Sequence, residues 1–175
     1  DGLEAWGCDD LLWTQIPPGA QRDLTRFARD GEKILALDGR EYTLEDGMSV
    51  IADANGVHGI GGIMGGEDTG CTEETTNVFL EVALFDPIRT ATTGRRLGIE
   101  SDARYRFERG LDPESAYWGA EVATRLILEF CGGEASELTI AGEMPDWARP
   151  VSLRPERLKS FGGADVETEE ALSIL

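Results

Sequence analysis

Short apolar segments separated by turn residues fill the first half of the chain, a pattern typical of antiparallel strands. The segments 34–37 and 40–44 flank Asp38-Gly39 and predict a hairpin with a two-residue type I′ turn. A further strand is predicted over 49–53. Asn55-Gly56 follows it and predicts a second tight turn before a return strand. The chain therefore opens with meandering antiparallel pairs.

The return strand leads into a glycine-rich run. Five glycines fall within the eight positions 59–66, so the backbone there must approach another group closely. The run does not open a helix and carries no phosphate-binding lysine, which argues against a nucleotide loop. A tightly packed strand and the wall of a ligand pocket both fit this pattern.

A nearly continuous apolar run, NVFLEVALF over 77–85, predicts a strand that is buried on both faces. Glu81 interrupts it. A carboxylate is rarely buried without a partner. Glu81 is therefore the most unusual placement in the sequence and a candidate functional residue.

Three helices are predicted in the second half. Asp86-Pro87 opens the first and Gly98 ends it, as an N-cap, a first-turn proline and a C-terminal glycine commonly do. Ser101-Asp102 opens a shorter one. Asp112-Pro113 begins the third, and Gly132-Gly133 ends it. The apolar positions of this third helix repeat at helical spacing: Tyr117, Ala120, Ala123, Ile127 and Phe130.

These elements predict an α+β fold with mostly antiparallel β-sheets and helices packed against them. Residues 1–22 show no helical or strand period, and we interpret them as a poorly specified lead-in. We expect one domain over 23–144, a linker over 145–150, and the start of a further unit over 151–175.

Composition narrows the function classes. The 175 residues carry 16 Lys and Arg against 34 Asp and Glu, a formal net charge of −18, with 41% hydrophobic residues. The apolar share supports a core, and the charge argues against a protein that coats nucleic acid through its phosphates. No apolar run approaches the roughly 20 residues of a membrane span.

The cysteines and the histidine do not form a metal-binding pattern. Cys8, Cys71 and Cys131 are far apart and form no Cys-x-x-Cys pair. Free thiols in a reducing cytoplasm are the expected state. His58 is the only histidine, and a structural role is favoured over a catalytic one. We predict no metal site.

Two further charged groups allow alternative interpretations. Glu67 and Glu81 are candidates for paired carboxylates in acid–base chemistry. The arginines of the segment 101–110 form either a solvated, ion-paired face or a basic island in an acidic chain.

Three stretches in order, GIGGIMGGEDTG, TNVFLEVALFDPI and TGRRLGIESDARYRFERGLDP, resemble the B3/B4 domain of the β subunit of bacterial phenylalanine–tRNA ligases. The resemblance covers roughly 23–133, and 154–175 looks like the opening of the B5 domain that follows there. It implies a B3/B4-type fold whose N-terminal part is missing, because the family's Gly-x-Pro-x-His segment is not reproduced in 1–22. It also implies a cytoplasmic location.

The resemblance implies an editing function, the hydrolysis of tyrosine wrongly esterified to tRNA(Phe). Its implied pocket residues are Gly65 as a wall, Glu81 as the reader of the tyrosine hydroxyl, and Ser101 and Ala103 at the family's Thr-Asp-Ala stretch. No catalytic side chain is assigned. No cofactor is expected for this segment, since the ATP and magnesium of the parent ligase belong to other regions.

The implied partners are the tRNA(Phe) acceptor end carrying tyrosine, the remaining β-subunit domains, and the α subunit of an α2β2 enzyme, with no membrane. Two alternatives stay open. One is a catalytically inert structural or interaction fragment of the same subunit. The other is an unrelated acidic hydrolase that uses Glu67 and Glu81.

Overall fold

The computed structural model describes residues 11–14 and 24–174. The chain divides into two compact units after Pro145. The strands are β1 Leu11–Thr14, β2 Leu24–Phe27, β3 Lys33–Leu35, β4 Glu41–Thr43, β5 Ser49–Ala52, β6 Val57–Ile60, β7 Met64–Gly65, β8 Leu80–Ala83 and β9 Leu138–Ala141. The helices are α1 Pro87–Leu97, α2 Asp102–Phe107, α3 Ser115–Cys131, α4 Glu156–Ser160 and α5 Thr168–Ile174, with a 3₁₀ turn over Glu67–Thr69. The predicted α+β fold is confirmed.

All strand pairs are antiparallel. One sheet has the order β2-β5-β6-β7, a second has the order β8-β1-β9, and β3 pairs with β4 as a separate hairpin. Because strands that are close in sequence pair with one another in the first of these sheets, the meander expected from the turn pattern is present there.

The main core lies on one face of the β2-β5-β6-β7 sheet. Alternation along β5 buries Val50 and Ala52 in this core and leaves Ile51 half-buried on the opposite face. Ile51 instead packs against a second cluster built on Ala83 and Phe85. The sheet thus has a fully packed face and a second face that is available to form a site.

Both predicted hairpins are present with different turns. The N–H of Ala36 donates to the carbonyl of Arg40 at 2.9 Å, so three residues form the first turn, and Gly39 ends it at φ 76°. The two-residue type I′ turn is therefore wrong there. In the second, the N–H of Asp53 donates to the carbonyl of Gly56 at 3.0 Å, which moves the turn centre one residue earlier than predicted.

The interpretation of 1–22 as a lead-in is wrong for β1. This strand lies at the centre of its sheet, with Leu12 in register with Val82 on one side and Ile140 on the other. Both of its partners are distant in sequence. A strand specified by such long-range pairing leaves little local period to detect.

The strand predicted over 77–85 is shorter than expected. β8 covers only Leu80–Ala83, and Ala83 alone is fully buried within it. Burial on both faces is therefore wrong. β8 is an edge strand that contacts α3, and Glu81, Val82 and Ala83 all line the cavity described below.

Both ends of α1 follow the predicted caps, whereas α3 begins at Ser115, after the predicted Asp112-Pro113 start. The Asp86 carboxylate accepts from the N–H of Arg89 at 2.6 Å, and Gly98 ends α1 in the left-handed region. Gly132 ends α3 as expected. The buried stripe of α3 is different: Ala116 and Ala120 are its buried residues, whereas Phe130, predicted to face inward, is exposed.

The unit Asp146–Leu175 contains α4 and α5, with Ala171 buried and an ion pair of 2.7 Å between Lys159 and Asp165. Its assignment as the start of a B5-like domain stays a prediction. Among the described residues, no helix is both long enough and apolar enough to cross a membrane.

Candidate functional site

A cavity of about 1080 Å³ lies within the first unit. Its walls come from β5 and β6, from the glycine run and the loop over 68–79, from β8, from α2 and from the start of α3. The volume slightly exceeds the range of about 300–1,000 Å³ that is typical for small-molecule sites. Three of the four predicted pocket residues line it: Gly65, Glu81 and Ala103.

The glycine run packs tightly against aromatic rings at one end of this cavity. A Cβ at Gly61 would lie 2.7 Å from Cε1 of Phe85, and one at Gly62 would lie 3.0 Å from Cγ of Phe107. Real Cβ atoms do not come so close to a ring that is itself packed. Close backbone approach is confirmed. Part of the same run also lines the cavity, and its role as the wall of a ligand pocket stays a prediction.

Gly65 lies in β7, in register with Gly59 of β6. Both line the cavity. Where two glycines face each other across a strand pair, the cavity reaches the backbone itself. A Cβ at Gly65 would lie 3.2 Å from Cδ1 of Leu37, which is the exposed end of a flexible side chain.

Glu81 is half-buried at the centre of β8 and lines the cavity. Side chains alternate along a strand, so Glu81 and the buried Ala83 share a face. Two residues further on, Phe85 closes against the glycine run. The strand therefore holds a carboxylate and an apolar ring along the same wall.

Ala103 and Phe107 are one helical turn apart on α2, and both line the cavity. Ser101 caps this helix: its hydroxyl accepts from the N–H of Arg104 at 3.0 Å and donates to the carbonyl of Ile63 at 2.6 Å. Ser101 is not among the lining residues, so its contact with a ligand stays a prediction. Through Ile63 it fastens α2 to the glycine run.

Arg104 anchors a second side of α2, the one that faces α1. Its guanidinium donates to the carbonyl of Ile99 at 2.6 Å and pairs with Glu108 at 3.0 Å. The side chain passes directly over Gly94 of α1, where any Cβ would overlap it. This arginine of the segment 101–110 is therefore structural, and it fixes the position of Ala103 relative to the cavity.

A second polar group lines the cavity at the end of the β5–β6 hairpin. Nε2 of His58 lies 2.7 Å from Oδ1 of Asp53, and both side chains are largely buried. The backbone N–H groups of Asn55 and Gly56 also donate to the Asp53 carboxylate, at 2.7 and 3.2 Å. Burial acts to raise the pKa of Asp53, but the hydrogen bonds from Asn55 and His58 together outweigh it, and the pKa is lowered.

Sequence reasoning missed this pair, although the signal was present. A two-residue turn brings the strand positions on either side of it together. Asp53 and His58 lie symmetrically about the predicted Asn55-Gly56 turn, which made them candidates for contact across the hairpin.

Glu67 does not join Glu81. It lies on the exposed 3₁₀ turn and is not among the lining residues. The structure gives no support to a hydrolase built on these two carboxylates. In the part of the chain that the structure describes, no group of three or more His, Cys, Asp or Glu side chains is placed to hold a metal ion. Cys71 and Cys131 are free thiols, and Cys8 lies outside the described residues.

Comparison with known proteins identifies the class. The family model described as "B3/4 domain" matches residues 20–132, and the chain belongs to this family. The resemblance found in the sequence is confirmed.

Individual relatives agree with one another. The chain is 62% identical over 173 residues to the phenylalanine–tRNA ligase beta subunit of Rhodospirillum rubrum, covering 99% of this chain and 21% of that protein. It is 59% identical over 150 residues to the subunit of the same name from Paramagnetospirillum magneticum, and 55% identical over 150 residues to that of Brucella abortus (strain 2308); each match covers 86% of this chain and 19% of the relative. The chain thus spans about a fifth of the length of these relatives.

Proposed function

We propose that this chain is an editing module of a phenylalanine–tRNA ligase β subunit, which hydrolyses tyrosine wrongly esterified to tRNA(Phe) and so supports correct aminoacylation with phenylalanine. The observation that carries the proposal is that Gly65, Glu81 and Ala103, from three separate elements, line one cavity. The names of the relatives support it, since they are beta subunits of that ligase.

Glu81 is the group that distinguishes tyrosine from phenylalanine in this proposal. An apolar pocket distinguishes ligands that differ by one hydroxyl only modestly, so a synthetic site of that kind benefits from a second check. A carboxylate that accepts the phenolic O–H makes a charge-assisted hydrogen bond worth about 1.5–3 kcal/mol. Phenylalanine offers no donor at that position and forgoes this bond.

The walls around Glu81 fit an aromatic side chain. Phe85 and Phe107 meet edge to face, with ring centroids 5.2 Å apart, and Ala103 adds a small apolar surface beside them. Aromatic rings favour such edge and face contacts. Gly59 and Gly65 also line the cavity, so backbone rather than side chain forms that part of its wall.

Hydrolysis in this cavity requires no enzyme nucleophile. An aminoacyl ester is already reactive, and water attacks its carbonyl carbon while the ester C–O bond breaks, so that tyrosine and the free RNA hydroxyl are the products. Holding water and ester together supplies most of the acceleration. Backbone N–H groups of the glycine run are candidates to stabilise the negative charge on the carbonyl oxygen.

The proposed partners are the tyrosine-bearing acceptor end of tRNA(Phe), the remaining β-subunit domains and the α subunit of an α2β2 enzyme. ATP and magnesium would act in other parts of that enzyme, in the cytoplasm. The share of the relatives that this chain covers, about a fifth, is consistent with one module of a larger assembly.

The test is deacylation of tyrosyl-tRNA(Phe) and phenylalanyl-tRNA(Phe) by this chain and by Ala103→Leu. We expect the chain to release tyrosine at least tenfold faster than spontaneous hydrolysis and to spare phenylalanine. Ala103→Leu should abolish the acceleration because its larger side chain projects into the space beside Phe107 that the proposal gives to the phenol ring. The matched control Ala135→Leu, at an exposed position, should retain it.

If the chain gives no acceleration but still binds a non-hydrolysable tyrosyl-adenosine analogue, the inert alternative is correct for the isolated chain. If it neither accelerates deacylation nor binds the analogue, the proposal itself fails.

A further inference from the structure

Helix α2 presents two different surfaces. Ala103 and Phe107 face the cavity. Tyr105 and Arg106 lie outside the cavity-lining face of the helix, and Arg109 follows its C-terminal end; Tyr105 is 58% exposed and the two arginine side chains are 64% and 53% exposed. At 100° per residue, Arg106 is the closest of the three to the cavity-facing side. The wall of the site is thus continuous with an exposed aromatic and basic surface.

The outer surface is ordered by its own contacts. The guanidinium carbon of Arg109 lies 3.7 Å from the centroid of the Tyr105 ring. Arg109 also donates to the carbonyl of Tyr105 at 2.5 Å and to the Glu108 carboxylate at 3.0 Å. An arginine held over an aromatic ring forms a layered surface on which a nucleobase stacks readily.

The distribution of charge around the cavity makes the α2 side the favourable place for a polyanion to bind. The loop on another side of the cavity carries exposed carboxylates at Glu67, Asp68, Glu73 and Glu74. The chain as a whole carries −18. Such a field repels phosphate from the loop side and makes an arginine-bearing rim the favourable approach.

The arginines of this rim are not committed to their present partners. Arg106 pairs with Asp102 at 3.2 Å and Arg109 with Glu108 at 3.0 Å. Both arginines are more than half exposed, and ion pairs of this kind contribute little to stability. Exchange of a carboxylate for an RNA phosphate is therefore inexpensive.

We propose that Tyr105, Arg106 and Arg109 form the seat for the single-stranded 3′ end of the RNA whose terminal ester enters the cavity. In this arrangement a base stacks on the Tyr105–Arg109 layer and Arg106 contacts a backbone phosphate. The inference rests on the proposed function and adds to it the surface on which the RNA lies.

The experiment measures binding of a fluorescent oligoribonucleotide ending in CCA, without amino acid, to the full 175-residue chain over a range of salt concentrations. Tyr105→Ala should weaken binding about tenfold without changing the salt dependence, since it removes stacking alone. Tyr105→Phe should preserve binding. Arg106→Gln should weaken binding and reduce the slope of log K against log salt by about 0.7, the value for one phosphate contact on a single strand.

Arg40→Gln is the matched control, because Arg40 is also exposed beside a carboxylate but lies on the β3–β4 hairpin. It should leave affinity and slope unchanged. Equal binding by the wild type and all α2 variants would overturn the inference, as would the absence of any oligoribonucleotide binding by the wild type at low salt.

A tyrosyl-adenosine analogue, which has no phosphate, separates this inference from the proposed function. The α2 variants should bind it as the wild type does. If the analogue binds while the α2 variants retain full RNA affinity, only the seat is wrong. If the analogue does not bind and deacylation is not accelerated, the proposed function is wrong.

Discussion

His58 and Asp53 meet across the β5–β6 hairpin, with Nε2 and Oδ1 2.7 Å apart, at the polar end of the cavity. The carboxylate also accepts from the backbone of the turn itself, through the N–H groups of Asn55 and Gly56. One side chain therefore both closes the turn and orients the only histidine of the sequence.

Asp53→Asn should destabilise the chain in a pH-dependent manner. The folded state lowers the pKa of Asp53, so its contribution is fully present above the ordinary value of 3.8 and fades as the pH falls through the lower folded value. Urea unfolding at pH 7 and near pH 3 checks this. The difference in unfolding free energy between wild type and variant should shrink at the lower pH; an equal difference at both would contradict the assignment.

Glu32→Gln should also lower the unfolding free energy, and again more at high pH than at low pH. Arg26 donates two hydrogen bonds of 2.8 Å to Glu32, and this lowers the pKa of the glutamate from its ordinary 4.5. At pH values above 4.5 we expect Glu32→Gln to lower the unfolding free energy by about 1–3 kcal/mol, the range for a charge-assisted hydrogen-bonded pair.

Glu41→Gln is the matched control for Glu32. Its partner Lys33 and Glu41 itself are both 59% exposed, so the loss should stay within about 1 kcal/mol. Comparable losses at the two sites would show that the bidentate geometry of Arg26 and Glu32 adds nothing.

Two glycine substitutions should have opposite signs. Gly61→Ala places a Cβ 2.7 Å from the Phe85 ring and should cost about 1–3 kcal/mol through overpacking. Gly119→Ala lies inside α3, where the nearest atom would be 3.9 Å away on Val82, and should stabilise by about 0.5–1 kcal/mol. Thermal unfolding of both variants measures this. A stabilising Gly61→Ala would mean that the ring is not fixed against the glycine run.

Ser101→Ala should separate α2 from the glycine run. It removes the helix cap and the hydrogen bond to the Ile63 carbonyl, for a combined loss of about 1–3 kcal/mol in unfolding free energy. Ser101→Thr retains the hydroxyl and should recover most of that stability. If alanine and threonine behave alike, the hydroxyl is not what holds the helix.

Features that depend on residues close in sequence could be predicted from the sequence. The Asp86-Pro87 start of α1, its Gly98 end and the close packing of the glycine run all follow from backbone geometry within a few residues. Gly65, Glu81 and Ala103 were recognised through their resemblance to a family, and the structure brings them to one cavity.

Features that depend on residues distant in sequence could not be predicted. β1 has no local period because its partners, β8 and β9, are far along the chain. Likewise, Phe130 is exposed and β8 is short because burial of a helix or strand face depends on which distant element packs against it. The Asp53–His58 pair was missed for a different reason, because a pattern of two polar residues around a turn is common and acquires meaning only beside a cavity.

The most direct measurement is the ratio of dissociation constants for non-hydrolysable tyrosyl- and phenylalanyl-adenosine analogues, with wild type, Glu81→Gln and the control Glu67→Gln. A single charge-assisted hydrogen bond to the phenol predicts a wild-type preference for tyrosine of about 10- to 100-fold, retained by Glu67→Gln. Glu81→Gln should bring the ratio close to one. An unchanged preference in Glu81→Gln would contradict the claim that this carboxylate reads the tyrosine hydroxyl.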